Sequence, residues 1–283
     1  MPPKAAALPV PPGDYAELVH RLRQHGSRLP PRLRQAAEHM LAHPEDMAFQ
    51  TTAEIAARAG VQPSTLVRFA QALDYPGFSD LQQVFRNRLR RAGSDHRARL
   101  AMLRGEAPGP ESMARTLLDG FIRASQTSLE TLATRTDPAM IDAAAAILAG
   151  ARTIYLVGAR RMFPVVSYLA YAFGKLGICA VLVDNIGGMG AEQAAMAGAG
   201  DAVIAVSFAP YTPQTVEIAR EAHRNGVPVI ALTDGALSPL AGDCRLLLEV
   251  VEADFGAFRS MAATFALAMT LSVATAEKIR ADA

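Results

Sequence analysis

From Tyr15 to about Leu103 the apolar residues recur at three- and four-residue spacing, with arginine-rich polar positions between them. That spacing keeps one stripe of each segment apolar and predicts amphipathic helices. Helical spacing resumes over Glu111–Leu132, where Met113, Leu117, Leu118, Phe121 and Ile122 share a face. Asp137 then supplies an N-cap and Pro138 a first helical position, opening a helix that ends at Gly150. At Arg152 the pattern changes. Short apolar runs (Thr153–Val157, Ala180–Val183, Ala202–Val206, Val229–Leu232, Leu246–Val250) alternate with helical segments such as Pro164–Leu176 and Pro213–Asn225. Runs that are apolar throughout belong to strands covered on both faces, so the pattern predicts a five-stranded parallel sheet between helices. Ligands of such sheets bind at the carboxyl ends of the strands, which directs attention to the loops after Val157, Val183, Val206 and Leu232.

The breaks between these textures predict the domains. Residues 1–14 are rich in Pro and Ala and read as a disordered tail. Gly105, Pro108, Gly109 and Pro110 break helical continuity, placing a linker over 93–112 between an all-helical domain at 15–92 and an α/β domain at 113–283. A length of 283 residues agrees with two domains, and 51% hydrophobic against 19% charged residues is enough apolar material for both cores. The longest apolar stretch, Ala262–Ala276, is too short to span a bilayer, so no membrane partner is expected. Cys179 and Cys244 have no Cys or His cluster around them. They read as reduced core residues of a cytoplasmic protein, with no metal, no cofactor and no catalytic residue indicated.

The net charge of +1 conceals an asymmetry. Residues 1–107 hold 15 Lys and Arg against 10 Asp and Glu, while the remainder holds 13 against 17. A basic first half joined to an acidic second half points to a polyanionic partner for the first alone. Within that half, Thr51 and Glu54 have capping-box spacing, Gly60 supplies a turn, and a second helix starts near Gln62 with Pro63 in its first turn. Small Ala56 and apolar Leu66 suit two helices crossed at close range. Leu66, Phe69, Ala70 and Leu73 face the core, leaving Gln62, Ser64, Thr65 and Arg68 for a DNA groove, with Thr52 at the start of the first helix. A reading helix presents its N-terminal polar residues to base edges, where Arg bonds guanine bidentately. The same pattern also fits an ordinary helical hairpin facing solvent.

Residues from about Leu29 to Leu89 resemble the N-terminal domain of the RpiR/MurR family of bacterial regulators, through LRQAAEHMLAHPEDMAF, TAEIAARAGVQPSTLVRFAQAL and DYPGFSDLQ. Asp74 stands where that family usually has glycine, and Gln62 where it commonly has serine. Residues from about Pro138 to Ala274 resemble the SIS (sugar isomerase) domain that such regulators carry, through IYLVGARR, GDAVIAVSFAPYT and GVPVIALTDGALSPLA. The resemblance implies a helix-turn-helix domain followed by a three-layer α/β SIS domain. It also implies a double-stranded operator as partner, a phosphorylated sugar or other anionic metabolite as effector, and a homodimer or homotetramer. Two loops depart from the family's phosphate-binding pattern. Gly158 is kept in the first, but Arg160 and Arg161 stand where a hydroxyl would sit. The second keeps Ser207 and Thr212 but has Ala209 and Pro210 between them. Gly158, Arg160, Arg161, Ser207, Tyr211, Thr212 and Thr233 are therefore the candidate ligand residues, the arginines either replacing the hydroxyls as anion binders or pairing with acids at a subunit interface.

Two other readings stay open. An SIS-type sugar-phosphate isomerase needs a poised acid or base, yet only His223 of six histidines falls in the second half, and Glu192 is its one glutamate near a strand-end loop. A non-specific DNA binder has no need of an α/β half.

Overall fold

A computed structural model describes residues 11–25, 29–44, 46–87, 113–256 and 258–282. The chain divides into two compact units, Met1–Asp95 and His96–Ala283, each considered by itself.

The first unit is helical: α1 (Tyr15–His25), α2 (Pro31–Ala42), the short α3 (Asp46–Phe49), α4 (Thr52–Arg58), α5 (Pro63–Ala72) and α6 over 78–87. Its core is the set of apolar stripes read from the sequence, with Leu18, Leu22, Met40, Ile55, Leu66, Phe69, Leu81 and Phe85 at most 2% exposed. Burying such side chains contributes about 1.5–3 kcal/mol each. Within the expected tail, residues 11–14 hold definite positions. Pro12 is buried and its carbonyl accepts from Tyr75 Oη at 2.6 Å, while Asp14 Oδ1 accepts from Glu17 N at 2.9 Å and caps α1. The rest of that stretch and the expected 93–112 linker lie outside the described residues. Arg86 is structural, donating to the Ala48 carbonyl at 3.0 Å.

The second unit opens with α7 (Met113–Arg135) and α8 (Pro138–Ala149), the latter started by Asp137 Oδ1 accepting from Ala139 N at 2.9 Å. Five strands follow: β1 (Ile154–Val157), β2 (Ala180–Val183), β3 (Ala202–Val206), β4 (Val229–Thr233) and β5 (Leu246–Glu249). They form one parallel sheet in the order β2-β1-β3-β4-β5. Helix α9 (Phe163–Lys175) follows β1, α10 (Gly190–Ala195) follows β2, α11 (Pro213–Arg224) follows β3, and α12 (Ala262–Asp282) closes the described chain. Alternate strand residues, Ile154, Leu156, Ile204, Val206, Ile230 and Leu232, pack with Val165, Leu169, Phe173, Leu267 and Leu271 of α9 and α12 in one core. Helices α10 and α11 cover the opposite face, giving the three layers predicted. Strand order reverses between β1 and β3, and the carboxyl edge at such a reversal is where folds of this kind bind ligands.

The sequence reading departs from the structure at two places here. Cys179 is exposed rather than in the core, because it leads into the edge strand β2, whose Val181 is also exposed. A two-stranded hairpin, β6 (Asp254–Phe255) and β7 (Phe258–Arg259), had no counterpart among the predicted elements.

Candidate functional site

The DNA-reading elements start with the capping box. Thr51 Oγ1 accepts from Glu54 N at 3.3 Å, and Glu54 Oε2 accepts from Thr51 N at 2.8 Å, so both orphan amides of α4 are satisfied. Those bonds hold the Glu54 carboxyl below its usual range. Gly60 turns the chain at φ +63°, where Gln35 Nε2 donates to the Ala59 carbonyl at 3.0 Å and ties α2 to the turn. Helix α5 begins at Gln62 without a side-chain cap, as glutamine there predicts. Leu66, Phe69, Ala70 and Leu73 are buried; Gln62, Ser64 and Arg68 are exposed; Thr65 and Thr52 are half-buried. The predicted faces of the helix are therefore the observed ones. Asp74 adopts a left-handed conformation at φ 70°, and Arg21 Nη1 donates to its Oδ2 at 3.0 Å. Asp is among the few side chains that take this conformation readily, so it can serve where glycine is usual.

In the second unit the two candidate loops differ. After β1, Gly158 is buried where a Cβ would lie 2.9 Å from Val166 Cγ1 and 3.3 Å from the Val206 carbonyl, so it serves close packing. Arg160 follows at φ 55°, and both Arg160 and Arg161 are exposed at the entry to α9. Neither side chain makes a hydrogen bond or ion pair among the described residues. Arg161 is nonetheless held below its ordinary pKa, first by partial burial and then by the Arg259 guanidinium, while Asp254, Asp234 and Glu252 pull it back upward. Those four groups are thus its electrostatic surroundings.

After β3 the loop is closed on itself. Asp234, 2% exposed, accepts from Ala209 N at 2.9 Å and from Tyr211 Oη at 2.7 Å. Ser207 Oγ accepts from Thr212 N at 3.2 Å. Thr233 is fully buried and its hydroxyl lies 2.7 Å from that of Ser238. Three of the seven candidate ligand residues (Ser207, Tyr211 and Thr233) therefore have side-chain polar groups engaged inside the fold, and Thr212 has its backbone amide engaged. Hairpin β6–β7 brings in Arg259, whose Nη1 donates to the Ala209 carbonyl at 3.1 Å and lies 3.6 Å from Asp234 Oδ2.

Two family models match the chain: the helix-turn-helix domain of the rpiR family over residues 16–91 and the SIS domain over 147–274. The chain belongs to the RpiR family. Among similar proteins, the HTH-type transcriptional regulator HexR of Pseudomonas aeruginosa is 27% identical over 77% of this chain and 73% of its own length. The bifunctional protein glk of Burkholderia orbicola is also 27% identical, over 84% of this chain, but the chain spans only 35% of that protein. The fold of the Vibrio vulnificus NanR protein, solved with ManNAc-6P, matches 94% of this chain and 96% of its own at a TM-score of 0.56 and 22% identity.

The candidate ligand residues read from the sequence lie on the loops after β1, β3 and β4, and Arg259, Asp234, Glu252 and Asp254 were not among them. No local signal marks Arg259, which reaches Asp234 and the Ala209 carbonyl only through the hairpin's tertiary placement. No helix of the described residues is long and apolar enough to cross a membrane, and no group of three His, Cys, Asp or Glu among them could hold a metal ion.

Proposed function

We propose that this protein is a DNA-binding transcriptional regulator that reads a double-stranded operator with α5 and answers to an anionic metabolite bound at the carboxyl edge of its sheet. The exposed polar face of α5 carries the reading, because it opposes a fully buried apolar face and is set by a capped, glycine-turned helix pair. Gln62, Ser64 and Arg68 contact base edges, while Thr52 and Thr65 bond the phosphate backbone. In the sensor unit, Arg160 and Arg161 bind the anion at the strand-order switch point.

Paired half-sites require at least a homodimer. Leu118, Ile122 and Leu129 on α7 and Met269 and Val273 on α12 are 41–56% exposed, an apolar surface suited to a second copy. Effector binding then shifts the population of dimer geometries and with it the spacing of the two reading helices. The isomerase reading gains nothing from His223 or Glu192, both exposed on helices.

Fluorescence anisotropy on duplexes selected from a random pool tests this. Arg68→Ala is expected to weaken the selected operator by about 1–3 kcal/mol, roughly 5- to 150-fold, with little loss on unrelated duplexes. Equal binding of all duplexes by the unaltered protein, or turnover of sugar phosphates without operator selection, would overturn the reading.

A further inference from the structure

Among the described residues of the first unit, two large apolar side chains are more than a third exposed, Phe49 at 82% and Val67 at 37%. Phe49 ends α3, whereas Val67 lies on α5 itself. A single exposed apolar side chain is ordinary on a protein surface. The position of this one is not. Leu66 is fully buried on the core face of α5, and at roughly 100° per residue Thr65 and Val67 fall on its two flanks. Ser64, Val67 and Gln71 are all exposed, at helical spacings of three and four, so they form one line along the helix with Arg68 beside it.

Such a line meets DNA as a unit. The major groove is about 12 Å wide, and a helix with its side chains is about 10–12 Å across. A helix that offers Ser64 and Arg68 to base edges therefore fills the groove, and its Val67 flank cannot stay in water. Valine has neither donor nor acceptor, so it bonds no phosphate and no polar base edge. The apolar group that base pairs present in the major groove is the C5-methyl of thymine. Thr65, on the other flank, keeps a hydroxyl that suits the phosphate backbone. Valine is also a poorer helix former than alanine, because its branched Cβ restricts χ1. Local stability of α5 therefore does not account for it.

We infer that Val67 is a specificity-determining residue that packs on a thymine C5-methyl in each half-site, within about two base pairs of the guanine bonded by Arg68. Adjacent residues rise about 1.5 Å along a helix, against about 3.4 Å per base pair, which keeps the two contacts close. Val67 in this role presupposes that α5 reads the operator from the major groove. Selection by Gln62, Ser64 and Arg68 needs no methyl contact, so the two claims fail separately.

The test uses the full chain and duplexes selected from a random pool, with each thymine replaced in turn by uracil, which removes the 5-methyl group alone. One thymine per half-site is expected to lose about fourfold in affinity by anisotropy, the scale of one buried methyl. In Val67→Ala the same replacement is expected to cost less than about twofold, because the protein side of the contact is gone. Val67→Ile keeps the branched methyl and is expected to retain the penalty. Val67 is exposed, so both variants keep the fold, which an unchanged thermal midpoint verifies. A uracil penalty of the same size in Val67→Ala overturns the inference, as does the absence of any penalty in the unaltered protein. A methyl-sensitive thymine far from the guanine whose selection Arg68→Ala abolishes overturns it too. So does a Val67→Ala loss that is equal on thymine and uracil duplexes, which would place the side chain against a second copy instead. In each of these cases a guanine selected through Arg68 leaves the α5 reading intact. No sequence selection by the unaltered protein overturns both.

Discussion

The loops after β1 and β3 leave the same sheet edge and each opens a helix, yet they treat charge in opposite ways. Arg160 and Arg161 after β1 are exposed and unpaired among the described residues, whereas the β3 loop is buried, with Ala209, Tyr211 and Arg259 gathered on Asp234. A loop running into a helix N-terminus is a ready anion site only while its donors are unclaimed. After β3 the chain supplies its own carboxylate. After β1 the anion has to come from outside. The pair teaches that a retained loop position, such as Ser207 or Thr212, says little about binding until its hydrogen bonds are traced.

The largest expected effect lies on the closed side. Asp234→Ala leaves the Arg259 guanidinium, the Ala209 amide and the Tyr211 hydroxyl without their shared acceptor. Both charged side chains are mostly buried, at 1% and 16% exposure, so screening is slight. Removing one partner of such a pair destabilises by about 3–5 kcal/mol. Denaturant unfolding of the sensor unit measures it, and a loss under about 1 kcal/mol would mean that Asp234 does not seal the loop.

On the open side, Gly158→Ala is expected to destabilise by about 1–3 kcal/mol through overpacking. The new methyl meets Val166 Cγ1 at 2.9 Å, which a side-chain shift can relieve, and the Val206 carbonyl at 3.3 Å, which belongs to a central strand and yields less. The same unfolding measurement applies. An unchanged midpoint would show that this glycine is present for ligand approach rather than for packing.

These two residues also mark where sequence reasoning succeeds and where it stops. Strand runs, the Thr51–Glu54 box, the Asp137 cap and the buried face of α5 were all legible, because each depends on neighbours within a few positions or on period alone. Asp234 was not, since its bonding partners lie 25 and 23 positions away and are brought to it by the β3–β4 register. Arg259 depends on a hairpin of two-residue strands, too short to leave a periodic signature. Thr233 read as a loop hydroxyl, but its strand continues through it and its paired residue is Glu249 of β5, which places it inside the sheet. Asp74 belongs with this group, as its acceptance of a left-handed turn is supported by Arg21, 53 positions earlier.

The smallest expected effect is the most discriminating. Arg160 sits at φ 55°, a conformation that disfavours non-glycine residues by about 1–2 kcal/mol. Arg160→Gly relieves that strain, but glycine loses about 0.5–1 kcal/mol more conformational entropy on folding. The two nearly cancel, leaving the ligand-free protein unchanged or more stable by up to about 1 kcal/mol. The ligand-induced rise in midpoint is expected to shrink in the same variant, because the guanidinium is gone. That opposite movement is the signature of strain kept for binding rather than for folding. If Arg160→Gly instead destabilises the ligand-free protein by more than about 1 kcal/mol, the side chain contributes to packing, and the open loop is no more a vacant anion site than the closed one.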